Sequence, residues 1–154
     1  MRVGEVFIDT NVLLYIHDRG GATKGEHALA WLNLLTDRQL ARTNLQVLNE
    51  VAHVFLRKKR FTSAEEAFSI VDRLSVFGDR SLTRAEIDSA RRLHLRYGYS
   101  WWDCLLLASA LELGCTHFLS EDLQDGQAIE DSGGKSLTIL SPFAHSPEQF
   151  FSSP

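Results

Sequence analysis

The sequence predicts an α/β fold, with a mostly parallel central sheet flanked by helices on both faces. Three observations carry that expectation. First, Val6-Phe7-Ile8, Thr116-His117-Phe118-Leu119-Ser120 and Leu137-Thr138-Ile139-Leu140 are short apolar runs with the β-branched and aromatic content of buried strands. Second, long segments with apolar residues at helical spacing separate the first run from the second, and strands joined through helices run parallel in a sheet covered on both sides. Third, a chain of 154 residues suits one domain, which at that size buries roughly 70% of its unfolded surface.

Taken in order, Val6–Ile8 ends at Asp9, which can cap a helix beginning near Asn11. Thr23 with Glu26, Thr62 with Glu65 and Thr83 with Glu86 fit the capping-box pattern T-x-x-E, and each precedes apolar residues at helical spacing. A further helix is expected from about Leu45 to Lys59, with Asn44 as N-cap. Its apolar arc holds Leu45, Val47, Leu48, Val51, Ala52, Val54 and Phe55, and Glu50 lies near the border of the polar arc. Trp101–Leu113 is apolar all round, so this helix should be buried on most sides, with at least one of Trp101 and Trp102 inside; Gly114 then stops it. Gln39–Thr43 suggests another short strand, and Gln124–Lys135 reads as a polar loop. These elements form a single domain over residues 1–143, and the Ser/Pro-rich segment 144–154 reads as a loosely held tail.

The net charge of −4 argues weakly against broad electrostatic binding to nucleic acid, while leaving room for a local basic patch. No apolar run has the length of a membrane span, and the N-terminus lacks the pattern of a signal peptide. Cys104 and Cys115 show neither CxxC nor zinc-ligand spacing, and read as small buried hydrophobes with reduced thiols. A cytoplasmic location is the expectation. The histidines have no metal-ligand spacing.

Acids in unusual places carry the chemical signal. Asp9 follows the first strand, at the sheet edge where open α/β folds bind ligands. Asp122 follows the strand ending at Leu119-Ser120, which puts it at the same edge if both strands are parallel. Asp103 opens the helix that is otherwise apolar, and Glu50 lies near the start of its own helix. Each has an ordinary explanation by itself: Asp9 as a helix cap, Asp103 as the partner of Ser100 in a capping pair, Glu50 as a solvated residue, and Asp122 as part of an acidic loop. Together they suggest more. Clustered carboxylates resist ionising together, a divalent cation removes that conflict, and oxygen-only ligation suits Mg²⁺ or Mn²⁺.

The segments Phe7-Ile8-Asp9-Thr10-Asn11-Val12-Leu13, Gln46-Val47-Leu48-Asn49-Glu50-Val51, Tyr97-Gly98-Tyr99-Ser100-Trp101-Trp102-Asp103 and Leu119-Ser120-Glu121-Asp122-Leu123 resemble, in order and spacing, the PIN-domain ribonucleases. Within that family the resemblance is to the VapC-type toxins of toxin–antitoxin pairs. It implies a PIN-like α/β/α sandwich and Mg²⁺-dependent cleavage of RNA, with Mn²⁺ as the alternative ion. Asp9, Glu50, Asp103 and Asp122 fall on the family's acidic quartet as catalytic and metal-binding residues, with Asp9 and Asp103 foremost as ligands. Thr10, Asn11 and Ser120 match polar positions that support the acids by hydrogen bonding. The same resemblance implies an RNA substrate, a small cognate antitoxin and a homodimer, with no membrane partner. It would put the antitoxin on apolar surface around Leu29–Leu35 and Val47–Phe55.

The basic run Arg57-Lys58-Lys59-Arg60 is a candidate RNA-binding segment, although cations at a helix C-terminus also suit the helix dipole. Trp31, Trp101 and Trp102 can be read as base-stacking platforms, with core packing the simpler account. Three other functions stand beside a toxin nuclease. A housekeeping PIN nuclease would share the site, and a PIN-like binding module would not cut RNA. A phosphatase with an aspartate nucleophile would need D-x-D, where this chain has Asp9-Thr10-Asn11.

Overall fold

Five strands form one sheet in the order β2-β1-β3-β5-β4 in a computed structural model that describes residues 3–18 and 22–152. The strands are β1 (Val6–Ile8), β2 (Ala41–Arg42), β3 (His117–Leu119), β4 (Ala128–Glu130) and β5 (Ser136–Leu140). The first four in sheet order are mutually parallel, and β4 runs antiparallel to β5 at the edge. The helices are α1 (Thr10–Ile16), α2 (Ala22–Asp37), α3 (Leu45–Lys58), α4 (Ala64–Leu74), α5 (Arg84–Tyr97), α6 (Trp101–Glu112) and α7 (Pro147–Ser152). The architecture is the expected α/β/α sandwich.

The strand order opens a crevice at one edge of the sheet. From β1 the chain passes through α1 and α2 to β2 on one side, then through α3–α6 to β3 on the other. The carboxyl ends of β1 and β3 therefore flank a topological switch point, where the flanking loops diverge and leave a cleft. Register fixes the level of that cleft: Ile8 pairs with Leu119, and Leu119 with Leu140. The next residues, Asp9 and Ser120, stand side by side. The Asp9 N–H donates to the Leu119 carbonyl at 3.0 Å, and the Ser120 N–H to that of Leu140 at 3.0 Å.

Apolar burial holds this frame. The rings of Phe7 and Phe118, adjacent across β1 and β3, stack with centroids 5.3 Å apart. In α6 every residue from Cys104 to Leu111 is buried, as its all-round apolar pattern requires. The surface expected for a peptide, residues 29–35 and 47–55, is mostly core: Trp31, Leu35, Val47, Leu48, Val51 and Phe55 are buried, and of its large apolar side chains Leu29 is exposed.

Caps set the helix starts. The Asn44 side chain accepts from the Val47 N–H at 3.0 Å, and Thr83 from that of Glu86 at 3.3 Å, as expected. At α4 the box is displaced by one residue. Ser63 is the N-cap and accepts from the Glu66 N–H, while Thr62 donates its N–H and O–H to the Glu66 carboxylate. Thr23 lies within α2, which starts at Ala22, so the pair Thr23–Glu26 is not its cap.

Three further expectations change. The polar loop 124–135 contains β4, an edge strand in which only Ile129 is buried. Segment 144–154 is not simply loose, because residues 147–152 form α7. The Trp31 indole N–H is shared between the Pro142 and His145 carbonyls, both at 3.0 Å, and the Phe150 and Phe151 rings pack against the indole. Finally, Trp101 and Trp102 both lie at the surface, 36% and 60% exposed. They occupy the first turn of α6, and burial begins only at Cys104.

Candidate active site

Asp9 anchors the site because two structural demands meet on it. It caps α1, so its Oδ1 accepts from the Thr10 N–H at 2.7 Å, and it ends β1, so its side chain turns into the crevice and is only 4% exposed. Its Oδ2 accepts from the Ser120 hydroxyl at 2.7 Å and from the Asn11 amide at 3.2 Å. Even so, burial pushes its pKa up to about 7, and the charges of Asp103 and Glu50 push the same way against the hydrogen bonds from Ser120 and Thr10.

Thr10, Asn11 and Ser120 tie the other acids to Asp9. The Thr10 hydroxyl donates to Glu50 Oε2, and the Gln46 amide, one turn earlier on α3, donates to Glu50 Oε1 at 3.1 Å. The Asn11 amide nitrogen also donates to Asp122 Oδ2 at 3.0 Å, and its oxygen accepts from the Glu121 N–H at 3.3 Å. Ser120 Oγ accepts from the Asp122 N–H at 3.2 Å. Residues from β1, α1, α3 and the turn after β3 thus form one connected network.

Asp103 joins through charge. It sits in the first turn of α6, where its N–H donates to the Ser100 hydroxyl at 3.2 Å. Burial raises its pKa, the Ser100 hydrogen bond opposes that, and the charges of Asp122 and Glu50 raise it further. The structure therefore gathers all of Asp9, Glu50, Asp103 and Asp122 into one electrostatic unit. Among the described residues, no three Asp, Glu, His or Cys side chains already converge as a metal cage.

The basic run divides. Lys58 and Arg60 line a recess of about 280 Å³ together with Asn11 and Asp122, at the flank of the acid network. Arg60 also pairs with Asp18 at 3.1 Å. Lys59 lines a different hollow, with Phe55, Leu56 and Phe61, and Arg57 lines neither. A separate, larger recess of about 590 Å³ is formed by Thr10, Gln46, Asn49, Glu50, His53, Val54 and Trp102. Sequence reasoning assigned no role to Gln46 or to that recess. The i,i+4 spacing of Gln46 and Glu50 on one helix was the available signal.

The PIN domain model matches residues 6–124, a span that includes all four acids, and the chain belongs to the PIN domain family. Its fold is similar to that of VapBC2 from Rickettsia felis, solved bound to a DNA fragment from its promoter, with TM-score 0.60 and 12% identity over 88% of this chain and 97% of that one. A toxin–antitoxin complex from Klebsiella pneumoniae gives TM-score 0.60 and 16% identity, covering 90% of this chain and 98% of that one. VapC20 of Mycobacterium tuberculosis, described as a sarcin–ricin loop cleaving toxin, gives TM-score 0.56 and 22% identity over 74% and 87% of the two chains. Nothing among curated protein sequences matches.

Proposed function

We propose that the chain is a divalent-metal-dependent ribonuclease and the toxin of a toxin–antitoxin pair. The observation that carries this reading is Asp9, a buried carboxylate at the switch point whose ionisation is opposed by burial and by two further acids. An oxygen-only set of carboxylates gathered around a buried Asp9 is the donor chemistry a hard divalent cation fits. Asp9 and Asp103 would hold Mg²⁺, or Mn²⁺ in its place, with Glu50 and Asp122 completing its surroundings. When bound, such an ion makes water more acidic, orients the phosphate and stabilises the leaving oxygen.

The chain's own residues do the rest. Ser120 and Asn11 fix the Asp9 carboxylate, and Thr10 and Gln46 fix that of Glu50. Glu50 or Asp122 accepts the proton of the attacking water. Lys58 and Arg60, which flank the acids, contact the RNA backbone, whereas Arg57 and Lys59 lie outside that recess.

The toxin role rests on family membership and on the kinship of fold with chains from toxin–antitoxin complexes. It brings with it a cognate antitoxin, a homodimer and action in the cytoplasm. No helix among the described residues is long and apolar enough to cross a membrane. The test is cleavage of single-stranded RNA by purified protein with Mg²⁺, with EDTA and as Asp9→Asn. Cutting by the wild type with Mg²⁺ alone supports the proposal; equal cutting by Asp9→Asn overturns it.

A further inference from the structure

We propose that the recess beside Glu50 is a nucleobase subsite, in which one unpaired base of the RNA substrate stacks on Trp102; this rests on the ribonuclease reading of the adjoining acids. Trp102 is 60% exposed although it begins a helix whose next turns are buried. A large aromatic ring with most of its surface in water offers a flat face to any base. The ring lines a recess of about 590 Å³, within the range of roughly 300–1,000 Å³ usual for small-ligand sites and large enough for a base with its ribose.

The composition of the recess selects its occupant. Val54 and Trp102 supply apolar surface, Gln46 and Asn49 supply amides, and Lys and Arg are absent from its lining. Its one acid, Glu50, repels a phosphate and tolerates a neutral base. The other recess has the opposite character, with Lys58 and Arg60 beside Asn11 and Asp122. Thr10 and Asn11 are consecutive, and each lines one of the two recesses. A nucleotide laid across the acids thus meets Lys58 and Arg60 on its phosphate side and, on its base side, a hollow of Trp102, Val54, His53 and two amides that holds neither Lys nor Arg. A base in a duplex is stacked and paired and cannot enter, so the subsite selects single-stranded or looped RNA.

The experiment uses an oligoribonucleotide that the wild type cuts, and a set of copies with one abasic ribose placed in turn at each position near the cut. Binding is read by fluorescence anisotropy in the Asp9→Asn background, and cleavage in the Asp9 background. One abasic position should weaken binding by roughly 5- to 100-fold. Trp102→Ala should lose as much with intact RNA and nothing more with that abasic copy, while Trp102→Phe keeps most of the affinity. If Trp102→Ala binds and cuts like the wild type, or responds equally to every abasic copy, the subsite is refuted and the recess is free for a peptide partner. If the wild type cuts no RNA with Mg²⁺, the ribonuclease reading itself fails, a result distinct from the first.

Discussion

At the scale of the residue, Asp9 is where stability and function conflict. Its pKa is about 7 when folded and near 3.8 when unfolded. Below about pH 4 both states hold the proton. Between there and pH 7 the unfolded chain ionises first, so stability of the metal-free protein falls as pH rises and levels off above 7. The loss is on the order of 4 kcal/mol from this residue. Asp9→Asn should therefore raise the melting temperature of metal-free protein at pH 8 by several degrees, and the gain should vanish near pH 4; a pH series of thermal melts checks this. Adding Mg²⁺ should stabilise the wild type at pH 8 and leave Asp9→Asn nearly unchanged. Asp9, Asp103 and Asp122 were legible because each follows or joins an apolar run, whereas Glu50, at the border of a polar arc, stood out only through the resemblance of its segment to the family. The placement of Trp102 was not, because hydropathy alone cannot distinguish the first turn of a buried helix from its middle.

At the scale of the element, most boundaries follow local chemistry, and the differences have local causes. Ser63 caps α4 in place of Thr62, because adjacent hydroxyl residues both suit the position and only the fold chooses between them. Strand β4 was hidden because Ile129 is its only buried residue and Gly126, Asp131, Gly133 and Gly134 surround it with turn signals. The glycines give a graded test. Gly98 ends α5 with φ +76° in open space, so Gly98→Ala pays only for backbone conformation, roughly 1–2 kcal/mol. Gly78 has φ +131°, and a Cβ there would lie 2.5 Å from the Thr43 carbonyl oxygen. Gly78→Ala should destabilise more than Gly98→Ala in chemical denaturation, since the turn it distorts sets the entry into α3.

At the scale of the whole molecule, a mostly parallel sheet was implicit in alternating strands and helices, whereas its strand order and the docking of the C-terminal segment were not. Its Ser and Pro content reads as a tail, and only the tertiary partner reveals otherwise: Trp31 offers two carbonyls a shared N–H and gives Phe150 a face to pack on. Phe150 also meets the His117 ring at 5.2 Å, edge to face. Phe150→Ala should cost about 2 kcal/mol and shift Trp31 emission to the red as water reaches the indole. Burial lowers the His117 pKa, so its contribution is intact above the unfolded value of 6.5 and is lost as pH falls through the lower folded value. Acid should therefore loosen this side of the molecule while it relieves Asp9 on the other. The central claim, that the acids joined across α1, α3, α6 and the end of β3 form a metal-dependent RNA-cleaving centre, is tested most directly by the chemistry of the cut ends. End-group analysis of RNA cleaved with Mg²⁺ should find 5′-phosphate and 3′-hydroxyl termini that are absent with Asp9→Asn; 2′,3′-cyclic phosphate termini, formed equally by both proteins, would contradict it.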